Sequence, residues 1–186
     1  MNSERSTRIS KFLSLVLRHQ PETAHVQLDK AGWVEVQALL AGCAKARRPI
    51  SKSDLEHVVE TNAKKRFEFS ADGRNIRASQ GHSVAVELDY TPQEPPEMLY
   101  HGTATRFLDS IHAHGLRRMQ RHHVHLSAET QVTLQVGARH GKPVLLTIQA
   151  GAMHRAGHVF YRSTNGVWLV ERVPAEFILF PASPAG

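Results

Sequence analysis

The chain has 186 residues, a formal charge of +6 and 41% apolar residues, a size and texture that allow one large globular domain or two small ones. Its single cysteine, Cys43, excludes an intrachain disulfide. No apolar run reaches membrane-spanning length and no signal-peptide core opens the chain, so no membrane association and a reducing, cytoplasmic location are expected. The charge is spread unevenly. Residues 1–85 hold 14 Lys/Arg against 9 Asp/Glu, residues 86–97 hold 4 acids and no base, and residues 98–186 hold 9 Lys/Arg against 4 Asp/Glu. Two basic lobes around an acidic connector predict a polyanionic partner such as nucleic acid.

Apolar residues at positions 9, 12, 13, 16 and 17 predict a helix over residues 9–19. Pro21 stops it, leaving Arg18 and His19 at a C-terminus, where cations are favourable. A short strand is predicted over 32–36 and a helix over 37–47. Ser51 and Asp54 form a capping-box pattern before a helix over 54–62. Residues 66–70 and 75–78 alternate around a turn at 71–74 and predict a hairpin. Helix, strand, helix, helix, hairpin is the order of a winged helix. Pro92, Pro95, Pro96, Glu94 and Glu97 then break regular structure and mark residues 86–97 as an acidic, proline-rich linker. Beyond it the texture is β-rich. A strand is predicted over 98–101, a helix over 106–114 ended by Gly115, and strands near 123–126, 144–149, 159–161, 166–170 and 177–180, with one helix over 129–140. The fold class is α+β, not a doubly wound parallel sheet.

The chemistry concentrates in four arginine-bearing clusters: Arg18-His19, Lys64-Lys65-Arg66, Arg121-His122-His123-Val124-His125-Leu126-Ser127, and Arg139-His140. A planar, permanently charged guanidinium binds phosphate oxygens bidentately. Arg18, Arg66 and Arg121 occupy unusual settings: a proline-stopped helix end, the mouth of the hairpin, and the start of the histidine-rich strand. If they converge they form a cleft that prefers a phosphate monoester, with nearly two charges, over a diester. No metal is expected, because His123 and His125 lack the further ligands that a zinc site needs. No G-x-G-x-x-G follows a strand, so a Rossmann site is not predicted. His101-Gly102-Thr103 and His125-Leu126-Ser127 both read H-x-[ST], a pattern similar to the two-histidine phosphoesterases. Cys43 sits in an apolar helical pattern and reads as core, with a nucleophile as the second reading.

The ordered motifs match a known family. They are the stretch of residues 10–19 ending in Arg18-His19, Gly32-Trp33, Lys65-Arg66-Phe67, residues 76–83, residues 99–103, residues 121–127, residues 136–141 and residues 165–169. Together they make the chain resemble the RNA 2'-phosphotransferases of the Tpt1/KptA type over nearly its whole length. The resemblance implies a winged helix followed by an ADP-ribosyltransferase-like, NAD-binding domain over residues 98–186. It implies an enzyme that uses NAD as co-substrate, acting as in tRNA splicing or RNA repair. An internal 2'-phosphate of a tRNA-like RNA attacks C1'' of the NAD ribose and nicotinamide leaves. The 2''-hydroxyl then attacks phosphorus, giving 2'-OH RNA and ADP-ribose 1'',2''-cyclic phosphate via an ADP-ribosylated RNA.

By the family's motifs, Arg18, Arg66 and Arg121 are expected to hold the phosphate and His19 to orient it or assist proton movement. His101, Gly102, Thr103, Ser127, Arg139, Asn165 and Gly166 are expected to bind NAD, and His82 is a weaker substrate contact. A monomer is expected. Two other readings stand beside this one: a metal-free two-histidine phosphodiesterase, and a non-enzymatic winged-helix regulator that senses a nucleotide.

Overall fold

A computed structural model of the chain describes residues 3–88, 90–130 and 141–181. The chain is α+β and divides into two units, Met1–Asp89 and Tyr90–Gly186.

The first unit is built on α1 (Ser3–Arg18), whose buried residues are Ile9, Phe12, Leu13, Val16 and Leu17. These are the five positions of the sequence's helical stripe, since a 3.6-residue period puts them on one face. Pro21 opens a 3-10 turn, Pro21–Ala24, that His25 closes in a left-handed conformation with φ 51°. Strand β1 (Val34–Glu35) is shorter than its alternation predicts, because Val36 already starts α2 (Val36–Lys45). Helix α3 (Lys52–Thr61) starts two residues earlier than expected. Ser51 is itself the N-cap, accepting from the Asp54 amide at 3.1 Å, so Asp54 is the third helical residue rather than the first. Strands β2 (Phe67–Phe69) and β3 (Asn75–Ala78) form the predicted hairpin, pairing Phe67 with Ala78 and Phe69 with Ile76. The three strands make an antiparallel sheet in the order β1-β3-β2. Leu13, Leu17, Leu39, Leu55 and Ile76 lie fully buried between this sheet and the helices. Cys43 joins that core, and burial pushes its thiol up to about 11, which keeps it protonated and unreactive.

Among the described residues, the second unit carries two three-stranded antiparallel sheets and a two-stranded ribbon. Strand β4 (Leu99–Ala104) pairs along its whole length with β7 (Pro143–Ile148), which pairs on its other side with β11 (Ile178–Leu179). The second sheet runs β6-β9-β8, from β6 (Val124–Leu126), β9 (Trp168–Val170) and β8 (Phe160–Arg162). The ribbon joins β5 (Leu116–Arg117) to β10 (Arg172–Val173). Helix α4 (Leu108–His114) ends at Gly115, whose φ of 68° suits glycine at a helix end. The sequence patterns did not reveal α5 (Ala150–Arg155), β5 or β10. A helix of under two turns and strands of two residues leave too little periodicity to read, and α5 contains Gly151 and is followed by Gly157. Most of the helix expected over 129–140 lies outside the described residues.

The acidic, proline-rich stretch is tied down at both ends. In the first unit Val86 is buried and the Glu87 amide donates to the Lys30 carbonyl at 2.6 Å. In the second, Pro92 bridges to Tyr161, the Gln93 amide donates to the Phe160 carbonyl at 2.9 Å, and Arg155 forks onto Glu97 at 2.6 and 3.1 Å.

Gly42 lies in α2 where a Cβ would fall onto the Ala24 carbonyl. Gly42→Ala gains about 1 kcal/mol of helix propensity but drives a methyl into backbone that cannot rotate away. Chemical denaturation should therefore show a net loss of about 1–3 kcal/mol; an unchanged or raised midpoint would contradict this packing.

Candidate functional site

In the first unit the end of α1 is wrapped by the chain that leaves β3. The Ser83 and Val84 amides both donate to the Arg18 carbonyl, at 2.9 and 3.3 Å. His19 Nδ1 lies 2.9 Å from Ser83 Oγ. The Arg18 guanidinium donates to the Arg66 carbonyl at 3.4 Å, and the Ser79 amide donates to the same oxygen at 2.9 Å. Arg66 is aimed in turn by Asn62, whose side-chain oxygen accepts from Arg66 Nη1 at 3.3 Å and from the Lys64 amide at 3.1 Å. Asn62 Nδ2 donates to Ser10 Oγ at 3.1 Å, which ties this turn back to α1. Arg18, His19 and Arg66, 48 residues apart at the extremes, are thus neighbours in one cluster. His82 is buried, with its Nε2 near Gly32.

Sequence reasoning missed Asn62, Ser79 and Ser83 as supports. The signal for Asn62 was its place after a helix, where its amide can bond the following turn. Ser79 and Ser83 sit in the motif of residues 76–83 but gave no sign of what they hold.

In the second unit the two H-x-[ST] segments lie side by side. Tyr100 and Ser127 exchange backbone hydrogen bonds at 2.8 and 2.9 Å, an isolated antiparallel bridge that links β4 to the end of β6. Alternation along β4 puts His101 and Thr103 on the face that bears buried Leu99, while Gly102 faces the other way. His101 Nδ1 meets the His125 carbonyl at 3.0 Å. A carbonyl only accepts, so that nitrogen carries a proton, and the neutral ring keeps its lone pair on Nε2. Desolvation pushes the His101 imidazole below its ordinary range. The bond to the His125 carbonyl opposes this, and the Arg121 charge adds to it.

Arg121 follows a turn in which its amide donates to the Arg118 carbonyl at 3.0 Å and Met119 is left-handed at φ 54°. Its Nη1 reaches His125 Nδ1 at 3.0 Å. His123 packs edge-on against Tyr161 and Tyr90, with centroids 5.6 and 6.5 Å away, and desolvation lowers its pKa as well.

The remaining residues expected to bind a cofactor are more varied. The Ser127 hydroxyl is engaged in a local turn with the backbone of Glu129, at 3.0 and 3.1 Å. Asn165 and Gly166 form the tight turn between β8 and β9. Asn165 Oδ1 accepts from Ser163 Oγ at 2.6 Å, and Gly166 takes φ 82°. Because Leu126 pairs with Trp168, this turn lies at the Ser127 end of its sheet. Arg139 lies outside the described residues. Trp168 is buried in the core, whereas Trp33 is only half-buried and carries the Arg77 guanidinium 4.4 Å above its ring. Among the described residues, no group of three or more His, Cys, Asp or Glu side chains is arranged to hold a metal ion, and no helix is long and apolar enough to cross a membrane.

Comparison with known proteins covers both units. The chain is 58% identical over 170 residues to a probable RNA 2'-phosphotransferase of Pseudomonas aeruginosa, spanning 91% of this chain and 93% of that protein. It is 52% identical over 178 residues to a protein of the same description from Nostoc punctiforme, covering 96% and 98% of the two chains. A third, from Streptomyces griseus, is 52% identical over 186 residues, again covering 96% and 98%. The family model described as RNA 2'-phosphotransferase, Tpt1 / KptA family matches residues 4–172, a span that includes Arg18, His19, Arg66, His101, Arg121 and the Asn165-Gly166 turn. The chain belongs to the RNA 2'-phosphotransferase family of the Tpt1 / KptA type.

Proposed function

We propose that this chain is an NAD-dependent RNA 2'-phosphotransferase, which removes an internal 2'-phosphate from a tRNA-like RNA and works as a cytoplasmic monomer. The observation that carries the reading is the family match over residues 4–172. In this reading the first unit is a winged helix that binds RNA and phosphate. The second is an ADP-ribosyltransferase-like domain that binds NAD through His101, Gly102, Thr103, Ser127, Arg139, Asn165 and Gly166.

Residue chemistry supports it. NAD, as co-substrate, supplies an electrophilic C1'' that the phosphate attacks as nicotinamide departs, and a 2''-hydroxyl that then attacks phosphorus and expels the RNA 2'-hydroxyl. The products are 2'-OH RNA, nicotinamide and ADP-ribose 1'',2''-cyclic phosphate. His101 fits a ribose: its Nδ1 is committed to the His125 carbonyl, which leaves Nε2 to accept from a sugar hydroxyl. A phosphate dianion is already a competent nucleophile, so the first step asks chiefly for orientation. Charge then gathers on the oxygens around phosphorus, where Arg18, Arg66, Arg121 and His19 as pre-placed donors matter most.

The test is an oligonucleotide with one internal 2'-phosphate, incubated with and without NAD and with a chelator. Turnover should require NAD, release nicotinamide and survive the chelator. The side-by-side seating of the two H-x-[ST] segments favours a metal-free two-histidine phosphodiesterase as second reading, which turnover without NAD would select.

Alanine at Arg18, Arg66 or Arg121 should lower turnover by about 10- to 100-fold each, the equivalent of one charge-assisted hydrogen bond. Rapid-quench analysis should show ADP-ribosylated RNA accumulating, because the second step suffers more; a loss confined to the first step contradicts this assignment.

The lowered His101 pKa also fixes a pH dependence of stability. Between the folded value and the ordinary 6.5, the unfolded chain takes up a proton that the folded chain refuses. Stability should be complete above about 6.5 and fall as pH drops through that window, by at most about 1.4 kcal/mol per pH unit for this one group. His123 is shifted in the same direction. His101→Gln should therefore flatten the acid limb of the unfolding free energy without removing it, and an unaltered slope would contradict the assignment.

A further inference from the structure

His125 is assigned to no part of the reaction above, yet it is joined to two residues that are. Its backbone carbonyl accepts from His101 Nδ1 and its ring Nδ1 accepts from Arg121 Nη1, both at 3.0 Å. It sits in the middle of β6, where antiparallel pairing with Leu169 of β9 fixes its backbone. Arg121, by contrast, stands between the turn of residues 118–121 and β6, in no strand or helix of its own. A guanidinium only donates, so the His125 nitrogen facing it must be unprotonated. The ring is therefore neutral, with its proton on Nε2. Among the described residues, no Asp or Glu forms an ion pair with Arg121. The guanidinium is oriented and its charge is kept.

We propose that His125 is a positioning residue: a neutral acceptor that aims the Arg121 guanidinium at the 2'-phosphate of the RNA. A carboxylate in its place would grip the arginine more tightly. It would also cancel the charge the phosphate needs. Imidazole supplies direction without compensation. The same residue passes on the seating of His101, so the pieces expected to face phosphate and ribose are referenced to one strand position. This inference rests on the reading of Arg121 as a phosphate ligand.

The experiment measures how much more tightly the protein binds a 2'-phosphorylated oligonucleotide than the same oligonucleotide with a free 2'-hydroxyl, in the absence of NAD. It compares His125→Asn, His125→Asp and Arg121→Ala with the unaltered protein. Asn and Asp are nearly identical in shape, and both offer an oxygen near the position of Nδ1. H125N should keep the preference within about 3-fold of the original, whereas H125D should lose about 10- to 100-fold, the scale of one charge-assisted contact. In an Arg121→Ala background the Asn-to-Asp difference should shrink to less than about 3-fold, because the residue acts through that arginine. Equal preferences in H125N and H125D, or the same difference with and without Arg121, overturn the inference and leave the function standing. A full preference in Arg121→Ala alone overturns the phosphate role of Arg121 and the inference with it. Each variant is checked for an unchanged thermal midpoint. If H125D proves unstable, His125→Leu replaces it, with the same 10- to 100-fold loss relative to H125N expected.

Discussion

A guanidinium that receives a phosphate dianion has to be held still by groups that do not cancel it. Each of the three arginines expected to bind phosphate has a neutral acceptor among its partners. Arg18 donates to a backbone carbonyl, Arg66 to the side-chain amide of Asn62, and Arg121 to the ring nitrogen of His125. Elsewhere the same residue type is paired with carboxylates: Arg77 with Glu68 at 2.6 Å, Arg5 with Asp54 at 2.7 Å, and Arg155 with Glu97 at 2.6 Å. The two kinds of partner act differently on the charge. An arginine on a carboxylate locks one piece of structure to another, as Arg77 does between β2, β3 and the Ala31 carbonyl. An arginine aimed by a neutral acceptor keeps its capacity to bind an anion.

The supports of these side chains are short but well anchored. The end of α1 is secured from inside by Leu13, Val16 and Leu17, which are fully buried, and from outside by the Ser83 and Val84 amides on the Arg18 carbonyl. Core packing thus fixes where the helix stops, and two hydrogen bonds fix how its last carbonyl is directed. In the second unit a single bridge, Tyr100 to Ser127, holds the H-x-[ST] segments in register. His101 and His125 reach opposite hydrogen-bonding roles from this arrangement. One ring donates its Nδ1–H in a hydrogen bond to a carbonyl; the other accepts a hydrogen bond at Nδ1 from a guanidinium. Equivalent motifs in sequence have become chemically inequivalent rings, one offering a lone pair on Nε2 and the other committed to an arginine.

The proposed reaction fits such a division of labour. Its nucleophile needs no strong base, so histidines serve better as oriented acceptors and donors than as proton sinks. Desolvation that keeps His101 neutral favours accepting from a sugar hydroxyl. It has a cost, because a ring that resists protonation makes the fold less stable in acid.

Much of the architecture was legible in the residues themselves. The α1 stripe, the Ser51 cap, the hairpin, strand β7 and the first half of β4 each carry their own period or turn chemistry, which is local and survives in one dimension; β4 runs on to Ala104 because β7 pairs along it. The family was legible too, because ordered motifs run through nearly the whole chain. Helix α5 and strands β5 and β10 were not, since a helix of under two turns and strands of two residues show no period of their own and exist only because neighbours complete their hydrogen bonds and burial. The sequence alone also singled out arginines and histidines as the residues expected to carry the chemistry. It could not determine which partner each would find. That Arg77 meets Glu68 while Arg121 meets His125 and Arg66 meets Asn62 depends on which side chains the folded backbone brings within about 3 Å, and tertiary structure alone decides that distance.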